Sequence, residues 1–160
     1  MYDYIVLLHV IGAFVFALAH GVSFAVGLRL RGVRSREQVA GLLELSGMAI
    51  GGLYVGLLLL LVGGIWAGFA GDHWGRLWIW VSIGILVAVI VAMYAIATPF
   101  YSRMRAAAGV FTDPKQVAKF GEIGPDELAR MGASSRPIWL AVIGSVGLLI
   151  ILWLMVVKPF

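Results

Sequence analysis

A chain of 160 residues with 62% hydrophobic and 12% charged side chains holds too little charge to cover a water-soluble globule, for which about 45–50% apolar content is usual. Its formal net charge of +4 is distributed loop by loop and forms no groove-shaped patch, so it speaks for membrane orientation and against nucleic acid. No cysteine is present, which excludes disulfides, thiolate metal sites and thiol nucleophiles within the chain.

Four apolar runs cover residues 5–28, 45–70, 77–98 and 138–157. Each has the roughly 18–20 residues that cross a hydrocarbon core of about 30 Å at 1.5 Å per residue. In lipid every backbone polar group must be satisfied internally, and runs of this length exclude barrel strands. The expected fold is all-α, a single domain over 1–160 in which four transmembrane helices pack as an up-down antiparallel bundle.

The first run opens Met1-Tyr2-Asp3-Tyr4 without the basic residues of a secretory signal, so it reads as a transmembrane helix. It carries two ionisable rings, His9 and His20. Eleven residues on a helix return to within about 20° of the start, so both rings share one face about 16 Å apart along the axis, with Gly12, Ala13 and Phe16 beside them. Leu7, Ile11, Phe14, Leu18, Val22 and Ala25 form the opposite face, which suits lipid. Both rings are expected to point into the bundle, and ionisable residues within a membrane are functional candidates by default.

Ser35 followed by Gln38 has the form of a capping box and predicts a helix start near Arg36. The second run carries Gly47-x-x-x-Gly51, Gly52-x-x-x-Gly56 and Gly64-x-x-x-Gly68, spacings that let helix backbones approach closely. Gly52 and Gly56 are expected to face a neighbouring helix of the bundle, with a dimerisation face as the alternative. Trp66, Trp74, Trp78, Trp80 and Trp153 gather near one boundary, with Trp139 at the other, as an aromatic belt does.

Between the third and fourth runs, residues 101–136 form the longest polar segment. Asp113-Pro114 reads as a cap with a first-turn proline, and Pro125-Asp126-Glu127 opens a short helix stopped by Gly132. This segment is expected to lie against anionic headgroups, with docking of a partner as the alternative. Ten of the twelve cations follow the first run or occupy this segment, leaving Arg76 and Lys158 on the other side. By the positive-inside bias, residues 101–136 are cytoplasmic and both termini lie outside.

Counting depth along the runs brings Met93 and Tyr94 to the level of His20, and Met155 to the level of His9, while His73 in the short 71–76 loop can fold over His9. A haem b iron held by His–Met or His–His ligation is therefore an expectation, with copper as a lesser option. The contrasting expectation is that each ring hydrogen-bonds a hydroxyl or carbonyl across helices. Of the two, His9 reads as the functional and metal-ligating histidine; His20 reads as structural, satisfied by Tyr94 or Ser23.

The segments LLHVIGAF, LELSGMAIGGLYVGLLLLLVGG, GRLWIW and WLMVVKPF together resemble a bacterial membrane family known as the domain of unknown function numbered two-two-six-nine. That resemblance spans nearly the whole chain and implies four membrane helices in the bacterial cytoplasmic membrane without implying an activity. A looser likeness of the first helix, to copper-resistance D-like proteins and to the haem-containing J-type protoporphyrinogen oxidase, implies a haem or metal role for His9. Two functions follow as expectations: a redox protein binding haem b, or a non-enzymatic accessory or assembly subunit of a larger membrane complex or homo-oligomer. A transporter is disfavoured by the lack of intramembrane carboxylates and of a Gly/Pro-broken helix pair.

Overall fold

The structure, a computed structural model, describes residues 1–33, 35–110, 115, 118, 119 and 125–160. The Asp113-Pro114 cap, and Arg34 among the cations, lie outside the described residues. Five helices are described: α1 (Tyr2–Leu30), α2 (Arg36–Ala70), α3 (Leu77–Ala108), α4 (Pro125–Gly132) and α5 (Arg136–Val157). Four candidate spans are long and apolar enough to cross a membrane, the last comprising α4 and α5. Only 11–28% of the most apolar window of each span is buried inside the protein. The remaining apolar surface needs lipid to cover it, and the chain is therefore a multi-pass membrane protein.

Glycines make the contacts between α1 and α2. Gly12 lies on the backbone of Leu59 and Leu60, and Gly56 on the backbone of Val15 and Phe16. A methyl group built on Gly63 would come within 2.7 Å of the His9 nitrogen. Residue numbers rise on one helix as they fall on the other, so the pair is antiparallel. Gly52 is looser: a methyl group there would stand 3.5 Å from Ala19 Cβ, an ordinary contact. In the α3–α5 contact glycines instead receive side chains, with Gly147 against the Val89 side chain and Gly144 against Met93 Sδ. Further contacts join α1 to α5 and α2 to α3.

The expected lipid face of α1 is exposed: Leu7, Ile11, Phe14, Leu18 and Val22 all lie outward. Ala25 is exposed with them.

Several boundaries differ from the sequence expectation. Helix α3 does not stop at residue 98; it runs through Pro99 to Ala108 and ends on the left-handed Gly109 (φ 72°). Residues 101–108 are thus two further helical turns and not the start of a loop. At 35 residues, α2 is roughly 52 Å long against a hydrocarbon core of about 30 Å, so the helices overrun the membrane. At the cationic end of the helices, from Val26 outward, Val26, Leu30, Val39, Leu43, Phe100, Met104, Ala107 and Leu128 form one buried cluster. Helix α4 closes it by placing Leu128 in the cluster, while its last residue, Gly132, abuts the end of α1.

Ser35 is the N-cap of α2, but its side chain makes no capping bond; its hydroxyl donates to Glu37 Oε2 at 3.3 Å. Trp78 leaves the expected belt for the interior, 5% exposed, where it packs with Ile79 and Leu154 beneath the Lys158 ammonium.

The backbone contact at Gly56 generates a direct expectation. Gly56→Leu should lower the stability of the purified protein in detergent by about 2 kcal/mol or more, because neither backbone can yield without parting the helices. Ala25→Leu, on the exposed face, should leave the thermal midpoint within error. An unchanged midpoint in Gly56→Leu would contradict the packing.

Candidate functional site

The two histidines of α1 occupy different environments. His9 is half-buried against α2, and its Nδ1 lies 2.7 Å from the Leu60 carbonyl oxygen. A carbonyl can only accept, so Nδ1 is the donating nitrogen. Room for the ring comes from Gly64, where a methyl group would stand 2.9 Å from both Nδ1 and Cε1. Here the sequence logic is local: Gly63 admits the α1 backbone, Gly64 admits the imidazole, and Leu60, one turn earlier, presents its carbonyl between them.

His20 is 8% exposed, and its Nε2 is buried without a hydrogen-bond partner among the described residues. This corrects the expectation that Tyr94 satisfies the ring: Tyr94 is 72% exposed and faces away from the bundle. His20 packs parallel to Phe16, with ring centroids 6.2 Å apart and planes inclined by 1°. Its Nε2 points at Gly144 of α5, 2.5 Å from where a Gly144 Cβ would sit, and Met93 Sδ approaches the same point to 3.2 Å. One glycine therefore brings a buried imidazole nitrogen from α1 and a thioether sulfur from α3 onto a single spot.

The other candidates are placed elsewhere. His73 hydrogen-bonds the Tyr2 hydroxyl at 3.1 Å and tilts against Trp78, with centroids 5.8 Å apart. Tyr2 precedes His9 by about two turns, or roughly 10 Å along the helix, so His73 closes the end of the bundle and does not cover His9. Met155 packs on the Trp78–Ile79–Leu154 cluster. Of the sequence-derived pairs, the structure brings together His20 with Met93. Gly144 and the Leu60 carbonyl, which shape the surroundings of the two rings, were not singled out by sequence reasoning. The glycines at 144 and 147 were a readable sign of a close approach on α5, whereas a backbone carbonyl leaves no mark in sequence.

The donor set favours a small, soft ligand. Imidazole and thioether suit copper, and particularly Cu(I), whose affinity for soft donors does not need a carboxylate. No group of three or more His, Cys, Asp or Glu residues gathers among the described residues, so harder ions that need oxygen-rich shells find no such cluster there. A haem macrocycle fits less well: the His20 ring and Met93 Sδ already occupy the space where a single methyl on Gly144 would sit. Comparison with family models, curated proteins and solved structures returns no match to this chain. The site stands on its own residues.

Replacing each ring by leucine should separate the two environments. His9→Leu removes a bond to a carbonyl and should cost about 1 kcal/mol of stability. His20→Leu removes an unsatisfied buried nitrogen and should be neutral or stabilising, since an apolar group of similar size relieves the desolvation cost. Thermal unfolding of the two variants checks this, and a larger loss in His20→Leu than in His9→Leu would contradict it.

Proposed function

We propose that this protein is a small metal-binding component of the bacterial cytoplasmic membrane, in which His20 Nε2 and Met93 Sδ hold a copper ion in the bundle interior. The observation that carries this reading is the His20 nitrogen, buried and unpartnered beside a thioether. A bare polar atom at that depth costs free energy unless something uses it. The bound ion would supply one-electron chemistry or a transfer point for the metal itself. Haem b, the expectation for His9, has the support of the Nδ1–H bond to Leu60, a partner of the kind that orients ligating histidines. At His20 it would require the α1–α5 contact at Gly144 to open.

Orientation belongs to the same reading: the cationic loops support a cytoplasmic 101–136 segment with both termini outside. A second reading, an accessory subunit or homo-oligomer, is favoured by Gly47 and Gly51. These two meet nothing within 4 Å of an added Cβ, so α2 keeps a small-residue face open beside the one it uses against α1.

Titration of the detergent-purified protein with Cu(I) against a chromogenic chelator tests the copper reading. One ion per chain is expected, with affinity falling at least tenfold in His20→Leu and in Met93→Leu and unchanged in His9→Ala. No competitive binding by wild type, or full binding by His20→Leu, would reject it; a Soret band on purification from haem-replete cells that vanishes in His9→Ala would install haem instead. For orientation, a cysteine at Ser134 should react with an impermeant maleimide only after the cells are opened. Labelling of Ser134→Cys in intact cells, with Asp72→Cys protected, would reverse the topology.

A further inference from the structure

At the cationic end of the bundle, the end of α3, the short α4 and the start of α5 line an open cleft of about 420 Å³. Three of its walls are guanidinium groups, Arg103, Arg130 and Arg136, with Ser134 and a single carboxylate, Glu127, between them. All three arginines are exposed, and no ion pair engages them among the described residues. The floor is apolar: Phe100 is 2% exposed and Met131 is half-buried beside it. Three cations facing one anion leave the cleft positive. Planar guanidinium forks match phosphate oxygens in geometry as well as charge.

A second feature continues from the cleft into the membrane. Arg136 begins α5, and Trp139, one turn on, is 59% exposed. From Trp139 the exposed residues Val142, Val146, Leu149, Ile150 and Trp153 follow at helical spacing along one face of α5. The last four of these line a shallow groove of about 220 Å³ with no polar surface. The stripe from Trp139 to Trp153 covers roughly 21 Å along the axis, a run of apolar surface that starts one turn beyond Arg136 of the positive cleft. Tryptophan at the headgroup level marks where such a cleft meets the membrane.

We infer that this cleft binds the phosphate of an anionic phospholipid in the leaflet on the cationic side of the protein, with an acyl chain laid along the Trp139–Trp153 face of α5. A free phosphate shares the headgroup chemistry, but the apolar track adjoining the cleft commits the site to a lipid. The inference is independent of the copper site, which lies on α1, α3 and the middle of α5.

The test uses full-length protein in neutral-lipid nanodiscs, titrated with phosphatidylglycerol, with phosphatidylcholine, or with inorganic phosphate, and followed by thermal unfolding. Phosphatidylglycerol should raise the midpoint, and the other two should not. In Arg130→Gln/Arg136→Gln the apparent affinity for phosphatidylglycerol should fall about thirtyfold, at about 1 kcal/mol per cation near the surface. Arg29→Gln, on the same side but not lining the cleft, should retain at least half of the affinity. Should the double variant fail to fold, a photoactivatable phosphatidylglycerol is used on wild type, and its acyl label should attach to the α5 peptide containing Trp139 and Val146. Equal stabilisation by phosphatidylcholine, full reproduction by inorganic phosphate, unchanged affinity in the double variant, or crosslinks confined to other helices would each overturn the site.

Discussion

Inside a bilayer one apolar surface is as good as another, because lipid tails cover leucine as well as a neighbouring helix does, so helices stay together through direct contact and close approach. In this protein that constraint is met by glycine: Gly12, Gly56 and Gly63 where the backbones of α1 and α2 touch, and Gly144 where side chains of α1 and α3 press on α5. Much else depends on those approaches. Only because Gly63 and Gly64 admit the α1 backbone and the imidazole does His9 reach the Leu60 carbonyl, and only because Gly144 lacks a side chain do His20 and Met93 converge. The same residues that hold the bundle create its polar interior.

Beyond the hydrocarbon the physics changes. There water restores the ordinary hydrophobic effect, and the cluster of Val26, Leu30, Val39, Leu43, Phe100, Met104, Ala107 and Leu128 runs from the end of the first apolar run out into that region, where α4 closes over the ends of α1, α2 and α3. Large side chains interlock at that end and small ones pack backbones within the membrane. The helix ends are thereby clamped on the cationic side, which also builds the arginine-lined cleft among α3, α4 and α5 from residues whose apolar neighbours are already held.

How much of this is legible in the sequence follows from the same division. The four spans, the start of α2 near Arg36, the short helix ending at Gly132 and the outward face from Leu7 to Val22 can be read directly, because length and helical period record them. The end of α3 is less readable: the hydropathy falls at Thr98-Pro99, yet a proline here is tolerated within the helix, and Phe100, Met104 and Ala107 continue the buried face in water. The roles of the two histidines are not readable at all. His9 and His20 share a helical face, and what separates them is a backbone carbonyl on α2 and a glycine on α5, neither of which periodicity on α1 can reveal. Trp78 is similar; its neighbours in sequence form a belt, but only the approach of Leu154 draws it inside.

The proposed copper site rests on a buried imidazole nitrogen, His20 Nε2, that has no hydrogen-bond partner among the described residues and lies near a thioether. The most direct measurement is X-ray absorption at the copper edge of protein loaded with one equivalent of Cu(I) in a membrane-mimetic environment. The account predicts a low-coordinate first shell with one imidazole nitrogen and one sulfur, the sulfur contribution disappearing in Met93→Leu and the imidazole multiple-scattering pattern in His20→Leu. A shell of light atoms without sulfur, or an identical spectrum in Met93→Leu, would contradict it.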